Sequence, residues 1–278
     1  VTDRSIMEAV SLTAQWTAAA RALESERPDA LFVDDCARTV AGDTGFTLLE
    51  RYSGSGIVPF IAVRTKYMDD AIVAATAGDG PRQVVLVAAG MDTRVRRLPW
   101  PAGVTVYELD RPALLAAKND LLATTTPRPG PERVPVPVDL AGEWTPALVA
   151  AGFDQAAPTL WVVEGLFFFL PEEAVTRLLG TLRGLSAAGS VLVADMASRA
   201  SLTNPFARQF LGALEEDGAP WLFGTDEPEP FLKGTGWAVS DLKQPGEEGA
   251  AYGRWPYPAP PRELANAPRS FLFTAQTG

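Results

Sequence analysis

The segment QVVLVAAGMDTR (Gln83–Arg94), followed by VYELD (Val106–Asp110), decides the fold of this chain. The first run is apolar and stops at a glycine; the second is a short strand-like run that carries two acids. Uninterrupted branched residues are the mark of a parallel strand, because helices cover both faces of such a sheet. Asp110 lies 20 residues after Gly90. At that spacing the strand after a nucleotide-binding turn delivers a carboxylate to a ribose hydroxyl pair. The turn is poor in glycine, however. Ala88, Gly90 and Thr93 stand where a dinucleotide loop needs small residues to bring its backbone against a pyrophosphate. A nucleoside without phosphates needs no such approach.

Outward from this core the periodicity changes. Residues from about 5 to 78 read as mostly helical. SLTAQWTAAARALESE (Ser11–Glu26) places Leu12, Trp16, Ala19 and Leu23 on one face, and VPFIAVRTKYMDDAIVAATA (Val58–Ala77) repeats the pattern up to Gly78. Downstream, RPALLAAKNDLLAT (Arg111–Thr124) predicts a helix with Pro112 in its first turn. RVPVPVDL (Arg133–Leu140) is a third strand, TPALVAAGF (Thr145–Phe153) a helix and TLWVVEG (Thr159–Gly165) a fourth strand. PEEAVTRLLGTLRGLS (Pro171–Ser186) is an amphipathic helix with two acids at its positive N-terminal end, and SVLVADM (Ser190–Met196) is a fifth strand. Strands alternating with helices from 83 to 196 predict an α/β fold with a doubly wound, mainly parallel sheet. PFARQFLGALEEDG (Pro205–Gly218) reads as a helix, and GWAVSDL (Gly236–Leu242) and RSFLFTAQ (Arg269–Gln276) as closing strands. The prolines between 245 and 268 suggest an ordered loop.

Over 278 residues, 47% hydrophobic and 21% charged composition supplies one large α/β domain, with or without a cap. The net charge of −10 argues against a nucleic-acid partner, since phosphate contacts need clustered Lys and Arg. The single cysteine, Cys36, excludes a disulfide framework and fits a reducing, cytoplasmic compartment. Asp3, Arg4 and Glu8 interrupt any early apolar run, so no signal peptide is expected. TLWVVEGLFFFL (Thr159–Leu170) contains Glu164 and is too short to span a bilayer, so no membrane association is expected. There is no histidine. That removes Ser-His-Asp hydrolysis, histidine-ligated metals and imidazole bases, and no metal is expected.

Ligands of open α/β sheets bind at the carboxyl ends of the strands. Those ends read Gly90, Asp110, Asp139 and Glu164. A single acid there is an ordinary loop residue or helix cap. Acids at three successive strand ends form a constellation that suits S-adenosyl-L-methionine, a nucleoside without phosphates. Asp110 would accept from both ribose hydroxyls, and Asp139 from the adenine amino group, with Leu140 packing near the base. Glu164, inside an apolar segment, needs a partner if buried and ionised, and the ammonium of a methionine moiety would serve. Arg64 in VRTKYMDD would clamp the methionine carboxylate; its plainer alternative is a surface salt bridge with Asp69 or Asp70.

Six motifs in order carry a family resemblance: ARALESERPDALFVDDCA, RTKYMDD, VVLVAAGMDTR, YELDRPALLAAKND, VPVDL and APTLWVVEGLFFFLPEEAV. They cover about residues 10 to 200 densely, with GTGW and the YGR at Tyr252–Arg254 thinner beyond. In these the chain resembles the leucine carboxyl methyltransferase-like branch of class I S-adenosylmethionine-dependent methyltransferases. That branch includes bacterial polyketide and other small-molecule O-methyltransferases. The resemblance implies a Rossmann-like core over 81–278 with a lid segment at about 199–235, and an N-terminal helical cap over 1–80. It implies that Arg64 and Thr65 meet the methionine end and that Arg21 touches the cofactor carboxylate. Ala88 and Gly90 would form the cofactor turn, Asp110 hold the ribose, Asp139 and Leu140 the adenine, and Glu164 the amino group. Where the family has Gly-x-Gly, this chain has Ala88-Ala89-Gly90, a methyl that tightens the site or lowers affinity. Asp92 and Arg94 read as structural, holding the turn and the N-terminal helices.

The implied reaction is SN2 methyl transfer to an oxygen of a small-molecule acceptor, a polyketide or other natural product. A carboxylate arrives ionised, whereas a phenol of pKa about 10 needs a base. With no histidine and no other base placed, no catalytic residue is named, and a carboxylate or an acidic phenol or enol is preferred. Phe206, Phe210, Trp221 and Phe223 would form an aromatic lid, or simply pack a C-terminal helix; Tyr67, Phe167 and Phe168 read as core. Three alternatives stay open. A protein carboxyl-terminal methyltransferase needs an open groove. An NAD-dependent oxidoreductase explains the strand-turn-acid pattern but lacks the glycines. A cyclase would bind S-adenosyl-L-methionine without net methyl transfer.

Overall fold

A computed structural model describes residues 3–52, 56–126 and 129–277, with side chains from residue 14 onward in the first helix. The chain opens with α1 (Asp3–Ser25), α2 (Ala37–Arg51) and α3 (Ile57–Thr76). An alternating series follows: β1 (Gln83–Val87), the single turn α4 (Arg94–Arg97), β2 (Thr105–Asp110), α5 (Pro112–Ala123), β3 (Glu132–Pro137), α6 (Thr145–Ala150), β4 (Thr159–Val163), α7 (Glu172–Gly184) and β5 (Val191–Ala197). Then come α8 (Arg208–Glu216), α9 (Pro228–Gly234), β6 (Trp237–Lys243) and β7 (Ser270–Thr277). Periodicity left α2 and α9 undefined. Gly42 breaks the first with φ 55°, and the second is only 7 residues long.

Among the described residues the strands form one sheet in the order β3-β2-β1-β4-β5-β7-β6. The first five strands run parallel, and β7 inserts antiparallel between β5 and β6. Succession reverses between β1 and β4, so the crevice outside their carboxyl ends is the topological switch point where such sheets bind ligands. Every residue of β1 and β4 is buried, as the uninterrupted apolar runs require.

Two apolar layers cover the sheet. On one face Trp161 and Val163 meet Leu179 and Leu182 of α7, with Leu148 of α6 and Leu232 of α9. On the other, Val84, Leu86, Val106 and Val162 pack against Met68 and Ile72 of α3 and Val95 of α4. Each such fully buried side chain stabilises the fold by about 1.5–3 kcal/mol relative to exposure. A third cluster stands above the strand ends, joining Trp16 of α1, Tyr52 after α2 and Phe210 and Leu214 of α8. In α1 the expected stripe is shifted. Trp16 and Ala19 are buried, Leu23 is 39% exposed, and the Leu12 side chain lies outside the described residues. Alanines 18, 19, 20 and 22 are buried, so small residues set the packed face of this helix. Lys118 of α5 is also fully buried. Its ammonium pairs with Glu108 of β2 at 2.9 Å, and Arg133 of β3 adds a second cation at 2.7 Å.

The turn after β1 carries strain. Ala88 is held at φ 54° and Gly90 at φ 49°. Only glycine enters this region freely, and alanine there costs about 1–2 kcal/mol. Ala88→Gly is therefore expected to raise stability by about 1 kcal/mol and Tm by roughly 2 °C, after glycine's extra unfolded-state entropy is deducted. Thermal unfolding checks this, and a lowered Tm would show that the methyl group contributes more packing than strain.

Candidate active site

The carboxyl ends of β1, β2 and β4 open into one cavity, walled also by α1, α3 and the aromatic residues Phe168, Phe210 and Trp221. Of the residues expected at the site, Arg21, Arg64, Ala88, Gly90, Asp110 and Glu164 all line it. Asp110 is held by two backbone donors, Gly90 N to Oδ2 and Arg111 N to Oδ1, both at 2.7 Å. This ties the end of β2 to the turn after β1. Burial raises the Asp110 carboxyl above its ordinary value, against the pull of these two amides. At Gly90 a side chain is excluded for a second reason, because a Cβ would lie 3.1 Å from the Ala14 methyl of α1.

Glu164 does not wait for a ligand to balance its charge. Its Oε1 accepts from Arg64 Nε at 3.0 Å, and its Oε2 lies 2.6 Å from Arg94 Nη1. Burial works to raise this carboxyl, but Arg94 and Arg64 overcome it and hold Glu164 below its usual range. Arg64 also reaches Asp195 of β5 at 3.1 Å, while Asp195 accepts from Gly165 N at 2.7 Å. The alternative pairing of Arg64 with Asp69 or Asp70 is not formed. Asp69 pairs with Arg94 and Arg97, and Asp70 with Lys66. Gly165, at φ 71°, leaves room for the guanidinium, since a Cβ there would stand 3.1 Å from Arg64 Nη1.

Arg94 extends the network. It binds Asp69 at 2.7 Å and the Asp92 carboxylate, whose Oδ1 in turn accepts from Arg94 N at 2.6 Å and starts α4. Asp92 and Arg94 thus join the turn to α3, and they also meet the site, because Asp92 lines the cavity and Arg94 pairs with Glu164. Arg21 joins from α1, donating to Asp34 at 3.0 Å and to the Met91 carbonyl at 2.5 Å. Asp34 accepts from Thr93 as well, at 2.6 Å, and lies 3.8 Å from Arg97. Asp34 and Asp195 were not anticipated as members. A second acid in the VDDCA segment and an aspartate inside the apolar SVLVADM run were the available signals.

Three expected contacts fall outside the main cavity. Thr65 is fully buried, its Oγ1 has no hydrogen-bond partner, and it does not line the cavity. Asp139 is half-buried and accepts from Ala141 N at 3.1 Å, in a local turn. Leu140 lines a smaller recess with Trp144, Leu170 and Leu178, which meets the main cavity at Leu166. Of the aromatic residues, Phe168, Phe210 and Trp221 face the cavity, whereas Phe223 is buried beside Phe231 and Phe206 is 84% exposed. Phe167 and Tyr67 are core, and Tyr67 donates to Asp241 at 2.7 Å.

The cavity suits a nucleoside without phosphates. Its turn presents Ala88 and Thr93 where a pyrophosphate cradle needs glycine, and its two lining arginines are already paired with acids. Among the described residues no helix is long and apolar enough to cross a membrane.

Comparison with known proteins agrees with this geometry. The sequence profile of the family described as leucine carboxyl methyltransferase matches residues 14–183. A Rhodococcus jostii (strain RHA1) protein, named for S-adenosyl-L-methionine-dependent methyl transfer, is 39% identical over 293 residues, spanning 97% of this chain and 96% of its own. A similarly named Mycolicibacterium smegmatis protein is 38% identical over 270 residues, or 90% and 88% of the two chains. The crystal structure of a DUF574 family protein from Streptomyces avermitilis superposes with a TM-score of 0.61 at 15% identity, over 94% of this chain and 97% of that one. That likeness shows the fold, the class I methyltransferase arrangement of seven strands with flanking helices. The cofactor is S-adenosyl-L-methionine. The chain belongs to the leucine carboxyl methyltransferase family of S-adenosyl-L-methionine-dependent methyltransferases.

Proposed function

We propose that the protein methylates an oxygen of a small-molecule acceptor, a carboxylate or an acidic phenol or enol of natural-product type. The observation that carries the cofactor placement is the Asp110 carboxyl. Each oxygen is fixed by one backbone N–H, keeps a second lone pair, and belongs to a group that lines the cavity. Those lone pairs accept from the two ribose hydroxyls. The adenine would enter the recess of Leu166 and Leu140, the residue next in sequence to Asp139. The methionine end lies toward Arg64, Glu164 and Arg21, whose mutual pairing holds a fixed set of charges around a zwitterion.

Bound there, the cofactor would supply an electrophilic methyl carbon to the acceptor oxygen, with its sulfur as the leaving group. The chain's own contribution is alignment and exclusion of water. Phe168, Phe210 and Trp221 close the end of the cavity, with Phe168 and Trp221 rings 4.5 Å apart. Each acid lining this cavity (Asp92, Asp110 and Glu164) is engaged by arginine or by backbone N–H. None is free to remove a proton, which favours an acceptor that arrives ionised. Residues 199–235 act as the lid over that acceptor.

Calorimetric titration is expected to show saturable binding of S-adenosyl-L-methionine and S-adenosylhomocysteine and none of NADH. Asp110→Ala should weaken both sulfur nucleosides at least about 100-fold, the value of two hydrogen bonds to a charged group. Unchanged affinity in folded protein refutes the ribose role. Arg64→Ala should weaken S-adenosylhomocysteine about tenfold or more while sparing adenosine; equal losses for the two would leave Arg64 a structural part only. Glu164 has a depressed folded-state pKa, so its stabilisation is present above the unfolded value of about 4.3 and is lost as pH falls through the folded one. Glu164→Gln should therefore cost about 3 kcal/mol at pH 7, with the gap to wild type closing below pH about 4. Urea unfolding at both pH values reads this, and a gap independent of pH contradicts it.

A further inference from the structure

A second cavity of about 480 Å³ adjoins the first and shares Ile57, Phe60, Phe210 and Trp221 as common wall. Its outer wall comes from the proline-rich segment before β7, with Trp255 stacked edge-on against Tyr257 at 5.4 Å. That segment is anchored to the N-terminal helices, because Arg254 binds Glu24 at 2.9 Å and Asp29 at 3.1 Å. The size is ordinary for a small-ligand site. Its charge is not ordinary for this chain. The protein carries a net charge of −10, yet among the described residues no aspartate or glutamate lines this cavity, and Arg269 is the one charged side chain in its wall.

Arg269 is 8% exposed and has no carboxylate within ion-pair distance among the described residues. Its guanidinium is held by neutral carbonyls: Nη1 donates to Ala267 O at 3.1 Å, and Nη2 to Pro261 O at 2.6 Å and Leu264 O at 2.5 Å. Its Nε has no hydrogen-bond partner. Carbonyl dipoles solvate a guanidinium but do not cancel its charge, and arginine does not deprotonate in proteins. A buried cation without a counter-charge among the described residues sets a positive potential in a cavity walled largely by aromatic residues and prolines, where interactions between charges are stronger than in bulk water. Among the described residues the three other buried arginines, Arg21, Arg64 and Arg94, each face at least one acid.

We propose that this second cavity is the acceptor site and that Arg269 sets its charge preference, admitting a flat apolar body that carries one anionic oxygen and rejecting cations. The inference rests on the cofactor reading above for its link to methyl transfer. Methylation of the anion yields a neutral product, which loses the attraction to Arg269 and leaves more readily than the acceptor.

Three probes of one shape and different charge test it: 2-naphthoate, methyl 2-naphthoate and 2-naphthylmethylammonium. Each is titrated calorimetrically into the full chain, with and without saturating S-adenosylhomocysteine. The anion should bind at least about tenfold tighter than the ester, the value of one hydrogen bond or close contact to a charged group, and the ammonium should bind weakest. Arg269→Gln should abolish the preference with ester affinity unchanged, and Arg269→Lys should keep most of it. Ala207→Trp, which fills this cavity without touching the first, should remove all three probes and leave S-adenosylhomocysteine binding intact. Equal affinity of anion and ester in the wild type overturns the proposal, as does a preference that survives Arg269→Gln or probe binding that survives Ala207→Trp. The wild-type ranking decides the matter even if Arg269→Gln does not fold. Failure of S-adenosylhomocysteine to bind would instead refute the cofactor reading, a result separate from the probe ranking.

Discussion

Arg94 is the residue on which the geometry of the site depends. A guanidinium withdrawn from water is tolerated only when acids surround it, and the acids around this one come from separate parts of the chain. Asp69 belongs to α3, Asp92 to the turn after β1, and Glu164 to the end of β4. From Glu164 the pairing continues through Arg64 to Asp195 on β5, and from Asp69 through Arg97 toward Asp34 and Arg21. Burial would lower the Arg94 pKa, but Asp92, Glu164 and Asp69 drive it well above the ordinary value. Loss of one partner strands the others, at about 3–5 kcal/mol for a broken buried pair. The network is thus a clamp that joins helices, turn and strand ends at fixed distances beneath the cavity.

Charge is sorted between the two adjoining cavities. Among the described residues every acid on the cofactor side is matched by arginine or by backbone amides; arginines hold Glu164 and Asp92 below the usual carboxylate range, whereas burial raises Asp110. The second cavity, the proposed acceptor side, has no acid among the described residues and retains one arginine whose partners are neutral. An acidic protein has thereby kept negative charge away from the place where, in the proposed reaction, an anion meets a sulfonium. In the proposed reaction, with no histidine and no unengaged acid among the described residues of the cofactor wall, selection of an ionised acceptor would replace deprotonation by a base.

Much of the fold was legible in local pattern. The runs at 83–87, 105–110, 159–163 and 191–197 are strands because unbroken branched residues suit a sheet covered on both faces. The tail strands were legible too, but not that β7 would lie antiparallel between β5 and β6, since pairing across distant segments leaves no trace in either one. The site was half legible. Asp110 and Gly90 were found by spacing along a single strand-turn-strand unit, and the structure joins them by one hydrogen bond. Arg64 and Glu164 were found as well, but not their pairing with each other or with Asp195 and Arg94. Asp195 lies 131 residues from Arg64, and no periodicity links them.

The sequence by itself determined the strands, the turn chemistry and the class of ligand, because each depends on residues within one or two adjacent elements. It also determined what chemistry was absent, since a chain without histidine cannot acquire one by folding. Tertiary structure alone decided which charges are neutralised. Glu164 is paired with two arginines, whereas Arg269, unremarkable in RSFLFTAQ, is left with neutral carbonyls. It also decided that Phe210, Trp221, Trp255 and Tyr257 enclose one space. Burial and pairing are properties of elements brought together from far apart in the chain, and the energy of a charge is fixed by those neighbours.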